Sequence, residues 1–218
     1  MFNFFKKTNQ QLRAKKEENK IGPKAYIFVG RSGCGKGTQA ELLMNKLKEI
    51  DNSKILHIET GALLREFAKN SSYTAKKTKE IIDTGGLMPE SIVISLCTSY
   101  LMDNFSGKEN LVFDGAPRRL LETEILDNTL KFYNISRYKV VYMNVSREWA
   151  TKRLLARGRT DDTKEDIEKR MSWFDKDVRP SVEFFKNNES CEFIDINGEQ
   201  TIEQVHDEIT KKVFNMRK

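Results

Sequence analysis

The stretch Gly30-Arg-Ser-Gly-Cys-Gly35-Lys36-Gly37-Thr38 is where this sequence most plainly offers chemistry. It follows a short apolar run, Ala25 to Val29, and opens a helical pattern. Glycines such as Gly33 and Gly35 let backbone N–H groups turn inward around a phosphate. The start of the next helix, with Gly37 and Thr38, adds partial positive charge, and Lys36 reaches the outer phosphates. A merely flexible glycine turn explains neither the lysine nor the later glycines. Gly37 stands where a Ser or Thr hydroxyl often ligates Mg²⁺, so a metal needs another anchor. Asp114 closes a later apolar run, Leu111 to Phe113, where a carboxylate can face bound phosphates.

These residues need a scaffold, and the pattern of apolar segments supplies it. Strands are expected at Ala25–Val29, Lys54–Ile58, Leu111–Phe113, Lys139–Val145 and Cys191–Ile196. A mostly helical stretch runs from Leu63 to Asn104, broken at Gly85-Gly86 and by Pro89. Further helices are expected over 118–132, 146–157, 163–187 and 200–216. Alternating strands and helices argue for an α/β fold, a five-stranded parallel sheet with helices on both faces. Ligands of such sheets sit at the carboxyl ends of the strands, where the glycine loop and Asp114 both fall.

Composition narrows the classes. The 218 residues suit one domain, or one core with insertions, and charged residues make up 32%. The longest unbroken apolar run is five residues, against the ~20 that a spanning helix needs. The three cysteines, Cys34, Cys97 and Cys191, are odd in number and form no CxxC pair. Neither a zinc site nor a disulfide framework fits them, and a reducing cytoplasm is the expected location. Of the net charge of +6, residues 1–24 carry +5, from seven Lys or Arg and two Glu. This basic N-terminal arm reads as a solvated extension ahead of a domain over 25–218. A weak contact with anionic lipid through Phe2, Phe4 and Phe5, or with nucleic acid, is the sharper alternative. No specific nucleic-acid partner is expected, and the protein is expected to be a monomer.

The glycine loop, continued to Gln39, resembles that of adenylate kinases and their nucleoside monophosphate kinase relatives. Four further motifs agree in order. Thr60-Gly61-Ala-Leu-Leu-Arg65 resembles the family's Thr-Gly-Asp-x-Leu-Arg. Gly86-Leu-Met88-Pro89-Glu90 resembles Gly-x-Leu-Val-Pro-Asp. Asp114-Gly115-Ala-Pro117-Arg118 resembles Asp-Gly-Phe-Pro-Arg. Arg153 to Arg170, with Arg159-x-Asp161-Asp162, resembles the lid region. The likeness runs from residue 25 to about 210 and is closest to the short-lid, bacterial type.

It implies a P-loop NTPase core with a helical monophosphate-binding insertion at about 60–93 and a reduced lid at about 157–164. It implies ATP and a nucleoside monophosphate as substrates and Mg²⁺ held by Asp114 through water. Lys36, Arg118, Arg153, Arg159 and Arg170 would be catalytic. ATP would be bound by Gly33, Gly35, Lys36, Gly37, Thr38, Arg153, Arg157 and Gln200. The monophosphate would be bound by Thr60, Gly61, Arg65, Met88, Gly115, Arg118, Glu122, Arg159 and Arg170. Such a set of cations suits phosphoryl transfer, which is mostly positioning and electrostatic stabilisation. Arg153 and Arg157 lie four apart and share a helix face. Asp161 and Asp162 either orient arginines or cap the helix near Thr163. His57 and Cys34 read as packing residues.

Three departures stand out. Ala62 replaces an acidic residue, Glu122 stands where a glutamine usually reads the acceptor base, and only Gly158 separates Arg157 from Arg159. The expected reaction is reversible transfer of the ATP γ-phosphoryl group to AMP. A kinase for GMP, CMP or UMP remains an alternative because of Glu122. So does a non-catalytic nucleotide-binding regulatory protein on the same fold, although no phosphate-handling arginine is missing. A kinase of a small metabolite fits the Thr60–Arg65 and Gly86–Pro89 segments poorly.

Overall fold

The computed structural model describes residues 24–52, 54–158 and 162–214. The arm and its phenylalanines, Arg159 and Asp161 lie outside the described residues. The strands are β1 (Ala25–Gly30), β2 (Ile55–Glu59), β3 (Asn110–Asp114), β4 (Tyr138–Asn144) and β5 (Cys191–Asn197). All neighbours pair in parallel, in the order β2-β3-β1-β4-β5. The chain leaves β1 to build one side of the sheet and returns to build the other. A crevice therefore opens at the carboxyl end of β1, where the glycine loop stands.

The helices are α1 (Lys36–Asp51), α2 (Thr60–Phe67), α3 (Tyr73–Asp83), α4 (Glu90–Asn104), α5 (Leu120–Phe132), α6 (Arg147–Arg157), α7 (Lys164–Trp173), α8 (Arg179–Asn187) and α9 (Ile202–Val213). Alternation along β1 sorts them into two layers. Tyr26 and Phe28 face a core built with Leu43 and Leu47 of α1, Leu154 of α6, Met171 of α7 and Ile209 of α9. Ala25, Ile27 and Val29 face the opposite core, with Leu101 of α4, Leu130 of α5 and Phe185 of α8. Strands buried on both faces read as continuous apolar runs, which is why they were visible in the sequence.

Two expectations are corrected. The helix expected over 163–187 is two helices joined by a π-helical segment, Phe174–Val178. The second strand ends at Glu59, one residue beyond the expected Ile58, and α2 follows at once from Thr60. The helical stretch expected from Leu63 to Asn104 resolves into α2, α3 and α4. Its own buried cluster is small: Leu64, Met88, Val93 and Ala116.

Candidate active site

At the carboxyl ends of β1, β2 and β3 lies a chamber of about 930 Å³. It is lined by Gly33, Gly35, Lys36, Gly37 and Thr38 of the glycine loop, by Gly61, Arg65 and Met88 of the segment between β2 and α4, by Asp114, Gly115 and Arg118 after β3, and by Arg153, Arg157 and Arg170. One lysine and five arginines thus converge on one cavity among the described residues.

The loop's shape follows from its glycines. Gly33 has φ +84°, and a side chain there would meet Leu154 Cγ at 2.8 Å. Gly35 caps α1 in the left-handed region, with φ 96°, a conformation that costs glycine little. Lys36 Nζ donates to the carbonyls of Gly30 (2.8 Å) and Arg31 (2.9 Å). Its charge is therefore held by neutral groups at the mouth of the loop. Cys34 is buried in the core beneath, with its Sγ 3.6 Å from Lys36 Nζ, so it packs as expected.

Asp114 is the carboxylate nearest the loop. A Cβ at Gly37 would stand 3.2 Å from Asp114 Oδ2, so the carboxylate lies against the position that a hydroxyl-bearing residue would fill. Burial raises the Asp114 pKa, opposed by the charge of Lys36. Among the described residues, no group of three or more His, Cys, Asp or Glu side chains could hold a metal ion. A single carboxylate still fits Mg²⁺, which keeps most of its waters and takes few protein ligands.

Each arginine is held differently. Arg118 Nε donates to the Gly115 carbonyl at 2.8 Å, and its guanidinium lies 5.3 Å from the centre of the Trp173 ring. Arg153 lies 4.8 Å from the centre of the Trp149 ring. Arg157 makes two bonds to Asp162, at 2.8 and 2.7 Å, and Arg170 binds the same carboxylate at 2.9 Å. Asp162 therefore orients arginines, while the Thr163 side chain caps α7. Arg65 Nη2 donates to Glu59 Oε1 at 2.9 Å.

Three expected site residues are not on the chamber wall. Thr60 is buried below it, its Oγ1 3.6 Å from Cys97 Sγ. Gln200 lines a separate small cavity with Gly35, Thr38 and Arg153, and its Nε2 donates to the Asn197 carbonyl at 2.8 Å. Glu122 is 5% exposed and lines a small, largely apolar pocket between α4 and α5, with Val93, Cys97 and Ala116. Its Oε2 accepts the backbone N–H of Arg118 at 2.8 Å, and burial raises its pKa. Sequence reasoning missed Glu59 and Trp173, and it assigned His57 to packing. His57 lines the chamber, and its buried Nε2 has no hydrogen-bond partner among the described residues.

Comparisons with known proteins point one way. A family model described as adenylate kinase matches residues 28–190. An adenylate kinase of Oenococcus oeni is 30% identical over 194 residues, covering 88% of this chain and 99% of that protein. One from a Synechococcus species is 34% identical over 184 residues, 84% of this chain and 95% of its own length. One from Bacteroides fragilis is 32% identical over 191 residues, 86% of this chain and 96% of its own length.

Proposed function

The chain belongs to the adenylate kinase family of nucleoside monophosphate kinases, and we propose that it transfers the γ-phosphoryl group of ATP to AMP, yielding two ADP. The observation that carries this reading is the convergence of Lys36, Arg65, Arg118, Arg153, Arg157 and Arg170 on one chamber, lined also by the glycine loop and by Gly61 and Met88. Two nucleotides bring several negative charges together there, and cations fixed around the transferring group lower the barrier.

In this reading the ATP phosphates lie along the glycine loop and the N-terminus of α1. Lys36 shifts from its two carbonyls to the outer phosphates. Arg153, Arg157 and Arg159 stabilise charge on the donor side, and backbone near Gln200 borders the donor base. Arg65 and Arg118 hold the acceptor phosphate, and Arg170 reaches the transferring group. Asp114 would hold Mg²⁺ through water, and the ion would supply charge neutralisation on the donor phosphates. The acceptor base passes Met88 toward Glu122. The protein is read as a monomer acting in the cytoplasm.

Glu122 bears on the choice of base. An ionised carboxylate only accepts hydrogen bonds, which suits the adjacent N–H groups of guanine. A protonated one also donates, and so imitates the glutamine that matches adenine. Burial raises the Glu122 pKa, while the backbone N–H and the charge of Arg118 lower it; AMP is the proposed acceptor because the curated relatives are adenylate kinases. The test is a coupled assay with ATP, Mg²⁺ and each of AMP, GMP, CMP and UMP. AMP should give the highest kcat/KM; preference for GMP overturns the choice of base, and transfer to none of the four overturns the proposal.

A further inference from the structure

Glu59 ends β2 in register with Asp114 at the end of β3, so adjacent strands, about 4.8 Å apart, present two carboxylates to the chamber. They carry different loads. Glu59 Oε1 accepts from Arg65 Nη2 at 2.9 Å. Arg65 belongs to the helix that starts directly after that strand, and it folds back over Gly61 to make the contact. A Cβ at Gly61 would stand 3.0 Å from Arg65 Nη1, so the folded-back pose uses the room that this glycine leaves. Both partners remain open to the chamber, Arg65 at 54% and Glu59 at 40% exposure.

We propose that Glu59 is a positioning residue of the acceptor site, a carboxylate that holds Arg65 in a stand-in ion pair until the acceptor phosphate takes the guanidinium from it. The inference rests on the reading of the insertion as the acceptor side. Glu59 holds Arg65 through one N–H, on Nη2, and a phosphate that takes the Nη2 edge of the guanidinium bidentately competes with Glu59 for it. Once displaced, the Glu59 carboxylate stands beside Asp114 and repels the incoming dianion. Both effects oppose phosphate binding, so Glu59 sets how tightly the acceptor binds while keeping Arg65 ordered at the chamber wall.

The test compares Glu59→Gln, Glu59→Ser and the full-length wild type by calorimetric titration with AMP and, separately, with adenosine, which has no phosphate. An exposed ion pair of this kind leads to a gain of about threefold in AMP affinity in either variant. Adenosine affinity should not change, and KM for AMP should fall by more than kcat changes. In an Arg65→Ala background, Glu59→Gln should bring a smaller gain, since only the repulsion is then relieved. An unchanged or weaker AMP Kd in both Glu59 variants overturns the inference, as does an equal gain without Arg65. Phosphorylation of AMP by the wild type is scored alongside. Turnover of AMP with no gain in E59Q overturns this inference alone, whereas no turnover of any monophosphate overturns the proposed function as well.

Discussion

The connection after α6 and the insertion between β2 and α4 bring arginines to the same chamber but secure them in opposite ways. In the connection, Asp162 has 0% side-chain exposure and lies between Arg157 and Arg170, the latter 7% exposed. In the insertion, Arg65 and Glu59 pair in the open, and the buried cluster is confined to Leu64, Met88, Val93 and Ala116. Low local burial and solvent-exposed contacts mark the parts of a protein that rearrange most readily. On the proposed function, the arginines anchored by Asp162 are expected to stay in place, and the segment at about 60–93 is expected to move and close the site against water.

Lys36 supplies the reference point, since neutral carbonyls hold its charge and, among the described residues, no carboxylate forms an ion pair with it. Lys36→Met should leave the fold intact and lower kcat by on the order of 10²–10³-fold or more. Activity within a few-fold of wild type, measured in the coupled assay, would break the account on its fixed side.

Asp162→Ala should destabilise the protein by about 3 kcal/mol, because it removes a buried carboxylate shared by Arg157 and Arg170. Glu59→Gln should change stability by less than about 1 kcal/mol, since its pair is exposed. Urea denaturation of both variants measures the contrast. Equal losses would erase the distinction between the two regions.

Glu122 lies in the small pocket between α4 and α5. Glu122→Gln keeps an oxygen for the Arg118 N–H and offers at every pH the donor that the carboxyl offers only when protonated. The AMP:GMP ratio of kcat/KM should rise by roughly tenfold, the value of one recovered hydrogen bond. A falling ratio would mean that the carboxylate itself reads the base.

A smaller effect follows from the raised Glu122 pKa. Folding favours the neutral acid, so the stability linked to this group is complete below the unfolded-state pKa, near 4.5. It is lost as pH rises through the higher folded-state pKa. Glu122→Gln carries no such loss, so its Tm advantage over wild type should widen as pH rises above about 4.5. Parallel Tm curves from pH 4 to 7 would contradict this.

Much of this was legible in the sequence, because the glycine loop, Asp114 and the buried strands are set by local pattern. The chamber's contacts were less so. Glu59 escaped because the strand was read one residue short, at Ile58, and its register with Asp114 is a tertiary fact. Trp173 escaped because its contact with Arg118 crosses two elements distant in sequence. The π-helical segment at Phe174–Val178 inserts no glycine or proline that would interrupt a helical reading. Asp162 was open between two roles until the Thr163 cap left its carboxylate to the arginines. Glu122 was correctly placed near Arg118 in sequence, but its bond to the Arg118 backbone depends on how the loop before α5 turns.

The difference between the two regions is tested most directly by a pair of crystal structures, one unliganded and one with a bisubstrate analogue joining two adenosines through five phosphates. After superposition on the sheet, residues 60–93 should show the largest displacement, closing over the acceptor half with Arg65 released from Glu59. Arg157 and Arg170 should keep their bonds to Asp162. Larger movement of residues 157–164 than of the insertion, with the Asp162 pairs broken and the Glu59–Arg65 pair intact, would contradict the account.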